Sequence, residues 1–408
     1  MKILILSDFY PPVIGGLERH VQLLSDGLSK RGHMVTVCTT KIGGSSSLEE
    51  ENGVKIERLN GIFQRIPLLF KDIGKKYHPP TQDWLITKKL KHIIEETKPD
   101  IVHVHGWILY SILPLKKKYD IPLVTTLHDY GFICPKKTLM KTRGKICDEP
   151  LTPECIVCGL DQYNLLKSFL AYWCNKSNKN KLKNVDKFIA VSQYVEEIYS
   201  RFLGLNEEKI VVIPNFYEIE EDLESSKSGI FPEDFILFVG VLIPRKGVDL
   251  LIKAYNTIKT KTKLVIIGTE HPDYLYKSSG NVIVMKNLPH KTVMSACAAC
   301  KFLVMPRISP EACPTIAMEA MNFKKAVIAS DVGGLKEMVI DGITGILTTP
   351  GNIEELANAI RFLLSHPHEA KKMGEKGYDL VTTRFSLNSV LPKIEKLYKK
   401  LCNPNWRN

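Results

Sequence analysis

The feature that most constrains this chain is an alternation of short, continuous apolar runs, rich in β-branched residues, with segments of helical periodicity. In the first half the runs fall at 3–7, 35–40, 54–59, 101–105, 123–127, 188–192 and 210–214. In the second half they fall at 235–241, 264–268, 282–285, 302–305, 326–330 and 345–348. A strand that is apolar at successive positions is buried on both faces, as in a parallel sheet covered by helices. Two such series predict two doubly wound, Rossmann-like α/β domains. The length of 408 residues agrees, because single cores stop growing beyond about 250–300 residues.

Between the series, Asn215-Phe216-Tyr217-Glu218 runs into an acidic, serine-rich stretch that sustains neither periodicity. The expected division is a first domain over 1–215, a linker over 216–233 and a second domain over 234–380, with 381–408 a terminal helix packing back on the first domain. Open α/β sheets bind ligands at the carboxyl ends of their strands, so a central cleft faced by both domains is the expected site.

Composition narrows the class. With 44% hydrophobic and 25% charged residues, the chain is neither collagen-like, coiled-coil nor wholly disordered. No apolar run approaches the roughly 18 residues of a spanning helix. The opening Met1-Lys2-Ile3-Leu4-Ile5-Leu6-Ser7-Asp8 reads as a buried strand and not a signal peptide, so a cytoplasmic location is expected. Net charge is +12, and residues 1–200 carry 29 Lys and Arg against 21 Asp and Glu. Such a surplus suits an anionic partner (membrane lipid, a phosphorylated substrate, nucleic acid) or a merely solubilising surface. Leu165, Leu166, Phe169, Leu170, Tyr172 and Trp173 precede Lys176, Lys179, Lys181 and Lys183. That segment reads either as a core helix with a solvated end or as one lying peripherally on an anionic membrane face. Ile66-Pro67-Leu68-Leu69-Phe70-Lys71, flanked by Lys75 and Lys76, is a second candidate.

Three motifs sit where strands give way to helices. Gly15-Gly16 precede a helical pattern of Leu17, Val21, Leu24 and Leu28, and glycines at a helix start let a ligand approach N–H groups that favour anions. A paired glycine is also an ordinary turn, and the pattern is not the dinucleotide fingerprint. Glu311-Ala312-Cys313-Pro314-Thr315-Ile316 leads into Glu319. Pro314 suits the first helical position, leaving the Thr315 and Ile316 N–H groups for an anion. Glu319 lies five residues on, about 7.5 Å along the helix. Two carboxylates straddling a positive helix end suit a nucleotide diphosphate sugar, although a helix cap beside a surface acid gives the same letters. Arg245-Lys246 follow the strand at 235–241, where cations neutralise a leaving diphosphate or are simply solvated.

Taken together these residues resemble the family 4 glycosyltransferases, which have the GT-B fold. The resemblance spans nearly the whole chain, in family order: Pro11-Pro12, Gly15-Gly16 and Glu18; Arg31-Gly32-His33; Val191-Ser192; Ile213-Pro214-Asn215; Lys246-Gly247; Glu311 and Glu319; Gly333-Gly334 with Glu337; Asp341-Gly342 with Thr344-Gly345. It implies a retaining transferase that moves a sugar from a UDP- or GDP-sugar to a saccharide or lipid-linked saccharide in polysaccharide biosynthesis, without a catalytic metal. By the same resemblance Gly15 and Gly16 contact donor phosphate or acceptor, Glu311 holds the donor sugar, and Glu319 holds the ribose. The Thr315 and Ile316 amides meet the diphosphate with Lys246, and His128 touches the sugar near the reacting centre. One departure is Val241, where the family usually has arginine; a phosphate cation is missing there or comes from Arg245. A nucleotide-sugar epimerase of the same fold is the nearer alternative, and a basic nucleic-acid-binding protein the more distant one. No recognition motif supports nucleic acid.

Of ten cysteines, six read as packed thiols, Cys297 and Cys300 among them in an alanine-rich core helix. Cys134, Cys147, Cys155 and Cys158 share one short loop with Lys136, Lys137, Lys141 and Lys145. A C-x-x-C pair with two further cysteines nearby predicts a tetrahedral structural zinc site, free thiols and disulfides being the other readings. The loop shows little apolar content of its own, so a metal is expected to order it.

Overall fold

The computed structural model describes residues 1–13, 15–41, 45–66, 78–142, 144–218, 229–271 and 274–403. The lysine-flanked stretch at 67–77 and most of the acidic linker lie outside them. The chain forms two compact units, Met1–Asn215 with the segment from Val390 onward, and Phe216–Ser389.

The first unit holds an eight-stranded sheet of β1 (Lys2–Ser7), β2 (Met34–Thr40), β3 (Leu48–Glu51), β4 (Val54–Leu59), β5 (Ile101–His105), β6 (Leu123–Leu127), β7 (Lys187–Ala190) and β8 (Ile210–Val212). The order is β3-β4-β2-β1-β5-β6-β7-β8. Every neighbour is parallel except β3 with β4. Central β1 pairs with β2 and β5, and its Ile3, Leu4, Ile5 and Leu6 are buried. The helices are α1 (Gly16–Lys30), α2 (Trp84–Thr97), α3 (Leu109–Tyr119), α4 (Glu154–Cys158), α5 (Leu165–Asn178) and α6 (Gln193–Leu203). Side chains cap the starts of α2, α5 and α6. Asp83 accepts the Leu85 and Ile86 N–H groups, Asn164 that of Lys167, and Ser192 that of Val195.

Strand β3 is absent from the apolar pattern because three of its four residues are glutamates, which are poor strand formers. It forms as the antiparallel edge of the sheet, where Arg58 of β4 donates to Glu49 at 3.2 and 2.9 Å. Acids along an edge also discourage pairing with another chain.

The second unit holds β9 (Phe235–Val239), β10 (Lys263–Gly268), β11 (Val282–Lys286), β12 (Phe302–Met305), β13 (Ala326–Ser330) and β14 (Gly345–Thr348), all parallel in the order β11-β10-β9-β12-β13-β14. Its helices are α7 (Val248–Asn256), α8 (His290–Ala299), α9 (Thr315–Asn322), α10 (Ile353–Ser365) and α11 (Pro367–Arg384). Ile236, Phe238, Leu264, Ile266, Val304 and Ile328 form the sheet side of the core, against Leu251 and Ile360 of α7 and α10.

Helix α12 (Leu387–Cys402) begins in the second unit and joins the first from Val390. Its Glu395 accepts from Arg31 at 2.9 Å and meets His33 at 2.8 Å, and Tyr398 Oη meets His103 Nδ1 at 2.5 Å. The segment joining the first unit therefore starts later than 381. Phe216 and Tyr217, assigned to the linker from sequence, are buried in the second unit. Tyr217 exchanges backbone bonds with Phe385 and Leu387 and donates its hydroxyl to Asn322 at 3.0 Å. An apolar pair this short has no periodicity to read.

Helix α5 is not a core helix. Its inward residues are Ser168, Tyr172, Asn175 and Asn178, while Leu165, Leu166, Phe169, Leu170 and Trp173 are exposed. Among the described residues no helix is long and apolar enough to cross a membrane.

Candidate functional site

In the second unit the adjacent strands β9, β12 and β13 deliver three loops to one end of the sheet. The loop after β12 carries Arg307 and Glu311, and the turn after β9 carries Arg245 and Lys246. The Glu311 carboxylate is ion-paired with the Lys246 ammonium and lies 3.4 Å from Arg307 Nε. Arg307 is itself buried, donating to the Val239 carbonyl at 3.0 Å and the Lys246 carbonyl at 3.3 Å. Burial alone would raise the Glu311 pKa, but Lys246 and Arg307, with Arg245 beyond them, outweigh it and hold the acid well below the usual carboxylate range. Burial draws Lys246 down to about 8, partly opposed by Glu311.

Backbone contacts fix the same loops. The Arg245 carbonyl accepts the Ile308 N–H at 3.1 Å, and the Glu311 carbonyl accepts that of Gly334 at 2.7 Å. Gly247 and Gly333 have φ of 80° and 64°, and a Cβ at either would strike the Pro306 carbonyl or the Glu311 backbone. The Gly333-Gly334 turn is thus the seat of the Glu311 loop.

Thr315 and Ile316 open α9, whose first N–H groups have no partner within the helix. Pro314 is the capping residue just outside, one position earlier than expected. Glu319 is buried on this helix, its carboxylate 3.9 Å from His290 Nε2. Arg307 was not legible in the sequence, since Pro306-Arg307 matches no motif. Yet its guanidinium lies against Gly240, beside Val241, where the resemblance leaves a cation wanting. Arg307 therefore stands beside that strand end.

In the first unit the site is a histidine array. His128, just past β6, has Nε2 2.8 Å from Nδ1 of His105 at the end of β5. His20 of α1 packs edge-on to His128 with ring centroids 4.6 Å apart. His103 lies 4.2 Å from the His105 ring and meets Thr126 Oγ1 at 2.7 Å. Burial pulls His128 down to about 4, against partial opposition from Asp129 and Asn215, and His103 to about 3. It holds His20 and His105 well below their ordinary value too. All four rings are neutral at pH 7. The alternation His103-Val104-His105 and the His20 that follows Gly15-Gly16 were the available signals; neither was weighed as part of the site.

Gly15 caps α1 in an extended conformation, and the Glu18 carboxylate folds back against it. The positive end of α1 thus already faces an acid of its own chain. Asp8, at the end of β1, accepts the Trp107 and Ile108 N–H groups at 2.9 and 2.8 Å. Lys137 lies over the Trp107 ring at 3.9 Å and 3.7 Å from Asp129, binding the cysteine loop to the strand ends beside His128.

In the loop at 134–158, Leu139 and Met140 are buried. Its sulfurs accept backbone hydrogen bonds: Cys134 from Lys136, Thr138 and Leu139, Cys147 from Glu149, and Cys155 from Leu151 and Thr152. Burial raises these thiols, Cys147 to about 11. Among the described residues, only His20, His105 and His128 form a metal-capable group of three with ligand atoms all within 4.8 Å. The Cys158 thiol faces the Met140 carbonyl at 3.9 Å and the Thr142 hydroxyl at 3.6 Å.

Residues 14–221 match the sequence profile described as Glycosyltransferase Family 4, and residues 220–380 that described as Glycosyl transferases group 1. An uncharacterized glycosyltransferase of Methanocaldococcus jannaschii is 30% identical, over 98% of this chain and 99% of the relative. The glycogen synthase of Mycobacterium tuberculosis is 25% identical over 98% and 94%. The crystal structure of Anabaena HepE in complex with UDP-glucose superposes with a TM-score of 0.70 at 19% identity, covering 98% of this chain and 99% of that one. Two parallel-sheet domains of this kind are the GT-B fold. The chain belongs to the family 4 glycosyltransferases and is a glycosyltransferase enzyme.

The buried ion cluster has a stability consequence. Arg307→Met leaves two carbonyls without donors and Glu311 with one cation fewer. Breaking a buried pair in this way costs about 3–5 kcal/mol. Urea unfolding should show a loss in that range, and Arg307→Lys, lacking the planar fork, should recover only part of it.

Proposed function

We propose that the enzyme transfers a sugar, with retention of configuration, from a UDP- or GDP-sugar to a saccharide or lipid-linked saccharide in glycan biosynthesis. The observation that carries this reading is the ionised, half-buried Glu311 held between Lys246 and Arg307 on the loop that opens α9. A carboxylate fixed in that way is a rigid acceptor for sugar hydroxyls. Lys246, Arg245 and the Thr315 and Ile316 N–H groups offset the charge that develops on the departing diphosphate. These cations and amides make a catalytic metal unnecessary to the proposal. Glu319 takes the ribose hydroxyls. His128, being neutral, bonds a sugar hydroxyl in place of its contact with Asn215. The UDP-glucose held by HepE supports a uridine donor as the first to test, and the glycogen synthase relative supports a saccharide acceptor. Working at a membrane face, the enzyme would meet that acceptor linked to lipid. Nucleic acid has no part in the proposal.

Glu311→Gln should remain folded, with a lowered Tm, and lose turnover at least about 100-fold. Turnover close to wild type removes Glu311 from the mechanism. Proton NMR of the wild-type product reads the anomeric configuration, and inversion overturns retention. Product formation without any acceptor points instead to the epimerase.

Lys246 gives a pH signature. Below about pH 8 its ammonium is charged and attracts a diphosphate; above that value the free amine does not. Calorimetric affinity for UDP should therefore weaken as pH rises through 8, with the midpoint displaced upward by the bound anion. Lys246→Arg keeps its charge and should flatten the profile.

A structural zinc on Cys134, Cys147, Cys155 and Cys158 belongs to the same proposal. The spacing and the N–H bonds to sulfur support it, although the sulfurs would have to turn toward one another to bind. Protein purified without chelator should carry about one zinc per chain. Less than about a tenth, with four titratable thiols, removes the site.

A further inference from the structure

Helix α5 is built inside out. On its inward side Asn175 donates to the Gly131 carbonyl at 2.9 Å, Asn178 to that of Pro80 at 2.8 Å, and Ser168 to that of Ile156 at 2.5 Å. On its outward side Leu165, Leu166, Phe169, Leu170 and Trp173 are between 45% and 67% exposed. Residues 165, 169 and 173 follow one another at four-residue steps, with 166 and 170 alongside, so the five make one continuous stripe. The Phe169 and Trp173 rings stack at 6.5 Å. Val157 of α4 and Leu160 just after it are exposed as well, on elements packed against α5. Apolar residues exposed singly are ordinary; a stripe of five on one helix face marks an interaction surface.

Charge identifies the occupant. From 162 to 185 the chain has five lysines and no Asp or Glu, and Lys176, Lys179, Lys181 and Lys183 are exposed just past the stripe. An apolar stripe carrying a tryptophan and followed by cations alone is complementary to an anionic lipid interface, with headgroups over acyl chain.

We propose that the outward face of α5, with Val157 and Leu160, docks on an anionic lipid bilayer, the stripe entering the interface and the lysines meeting the headgroups. This deepens the lipid-linked acceptor reading and rests on it. The Gly131 carbonyl that accepts from Asn175 also accepts from Trp107 Nε1 at 3.0 Å. Docking therefore bears on the loop that follows His128, where an acceptor presented by lipid would arrive.

The test is co-sedimentation of the full chain with vesicles of phosphatidylcholine, alone or with about 30 mol% phosphatidylglycerol, at about 50 and 500 mM salt. The wild type should pellet with the anionic vesicles at low salt and be released at high salt. A Leu165→Ser, Phe169→Ser, Trp173→Ser variant should bind at least about tenfold more weakly. Its UDP-induced thermal shift should equal that of the wild type, showing that it is folded. The proposal is overturned if the wild type stays in the supernatant, or if the triple variant pellets as well as wild type. A dimer that the variant dissolves, without lipid binding, overturns it in favour of a contact between copies. An intact UDP shift in a protein that ignores lipid removes the docking face alone. Lipid binding without a shift from any nucleotide sugar removes the donor reading alone.

Discussion

The second unit depends on one carboxylate largely removed from water. Glu311 remains ionised there because Arg307 of its own loop and Lys246 of the turn after β9 both reach it, and those cations are tolerable there because of Glu311. Such a cluster adds little net stability, since desolvation of each charge cancels much of the attraction. Its effect is positional. Arg307 clasps the end of β9 through the Val239 carbonyl, and the Glu311 backbone is bridged to Gly333 after β13. Three neighbouring strand ends are thereby held in one register, and the helix start at Thr315 is aimed from that frame.

The first unit meets the same demand for a polar site within an apolar sheet by the opposite means. It gathers four imidazoles, three buried and His128 half-buried, and keeps all of them neutral. A neutral ring carries one donor and one acceptor, so His105 and His128 bond each other, and His103 bonds two hydroxyls, without the desolvation cost of ions. The chain of contacts runs from Tyr398 of α12 through His103, whose ring lies tilted against His105, and ends at His128. Asp8, at the end of β1, accepts two backbone N–H groups.

How much of this was legible follows from what each feature needs. The parallel strands could be read because burial on both faces is written in consecutive apolar letters; only β3, an acidic edge fixed by Arg58, escaped. The positions of Glu311, Glu319, Thr315 and Ile316 could be read because they attach to a helix start and its spacing, and that of Lys246 because it follows a strand. Arg307 could not, since it matters through carbonyls about 60–70 residues away in sequence, a relation no local pattern encodes. Helix α5 admitted two readings from its letters. Which face turns inward is decided by Asn175 and Asn178 bonding to carbonyls, information that hydropathy discards. The cysteine spacing was plain, but spacing fixes only which sulfurs share a loop, not where each one points.

The two glutamates show the limit of spacing as evidence most clearly. Seven residues separate Glu311 from Glu319, and the pair is the strongest local signature in the chain. Physically they are unlike. Glu311 sits on a loop, paired with two cations that leave no ambiguity about its charge. Glu319 sits inside α9, with His290 Nε2 3.9 Å from its carboxylate and the helix start behind it. The position of Glu311 is thus set by cations carried on two loops, whereas that of Glu319 is set by the backbone of the helix that bears it.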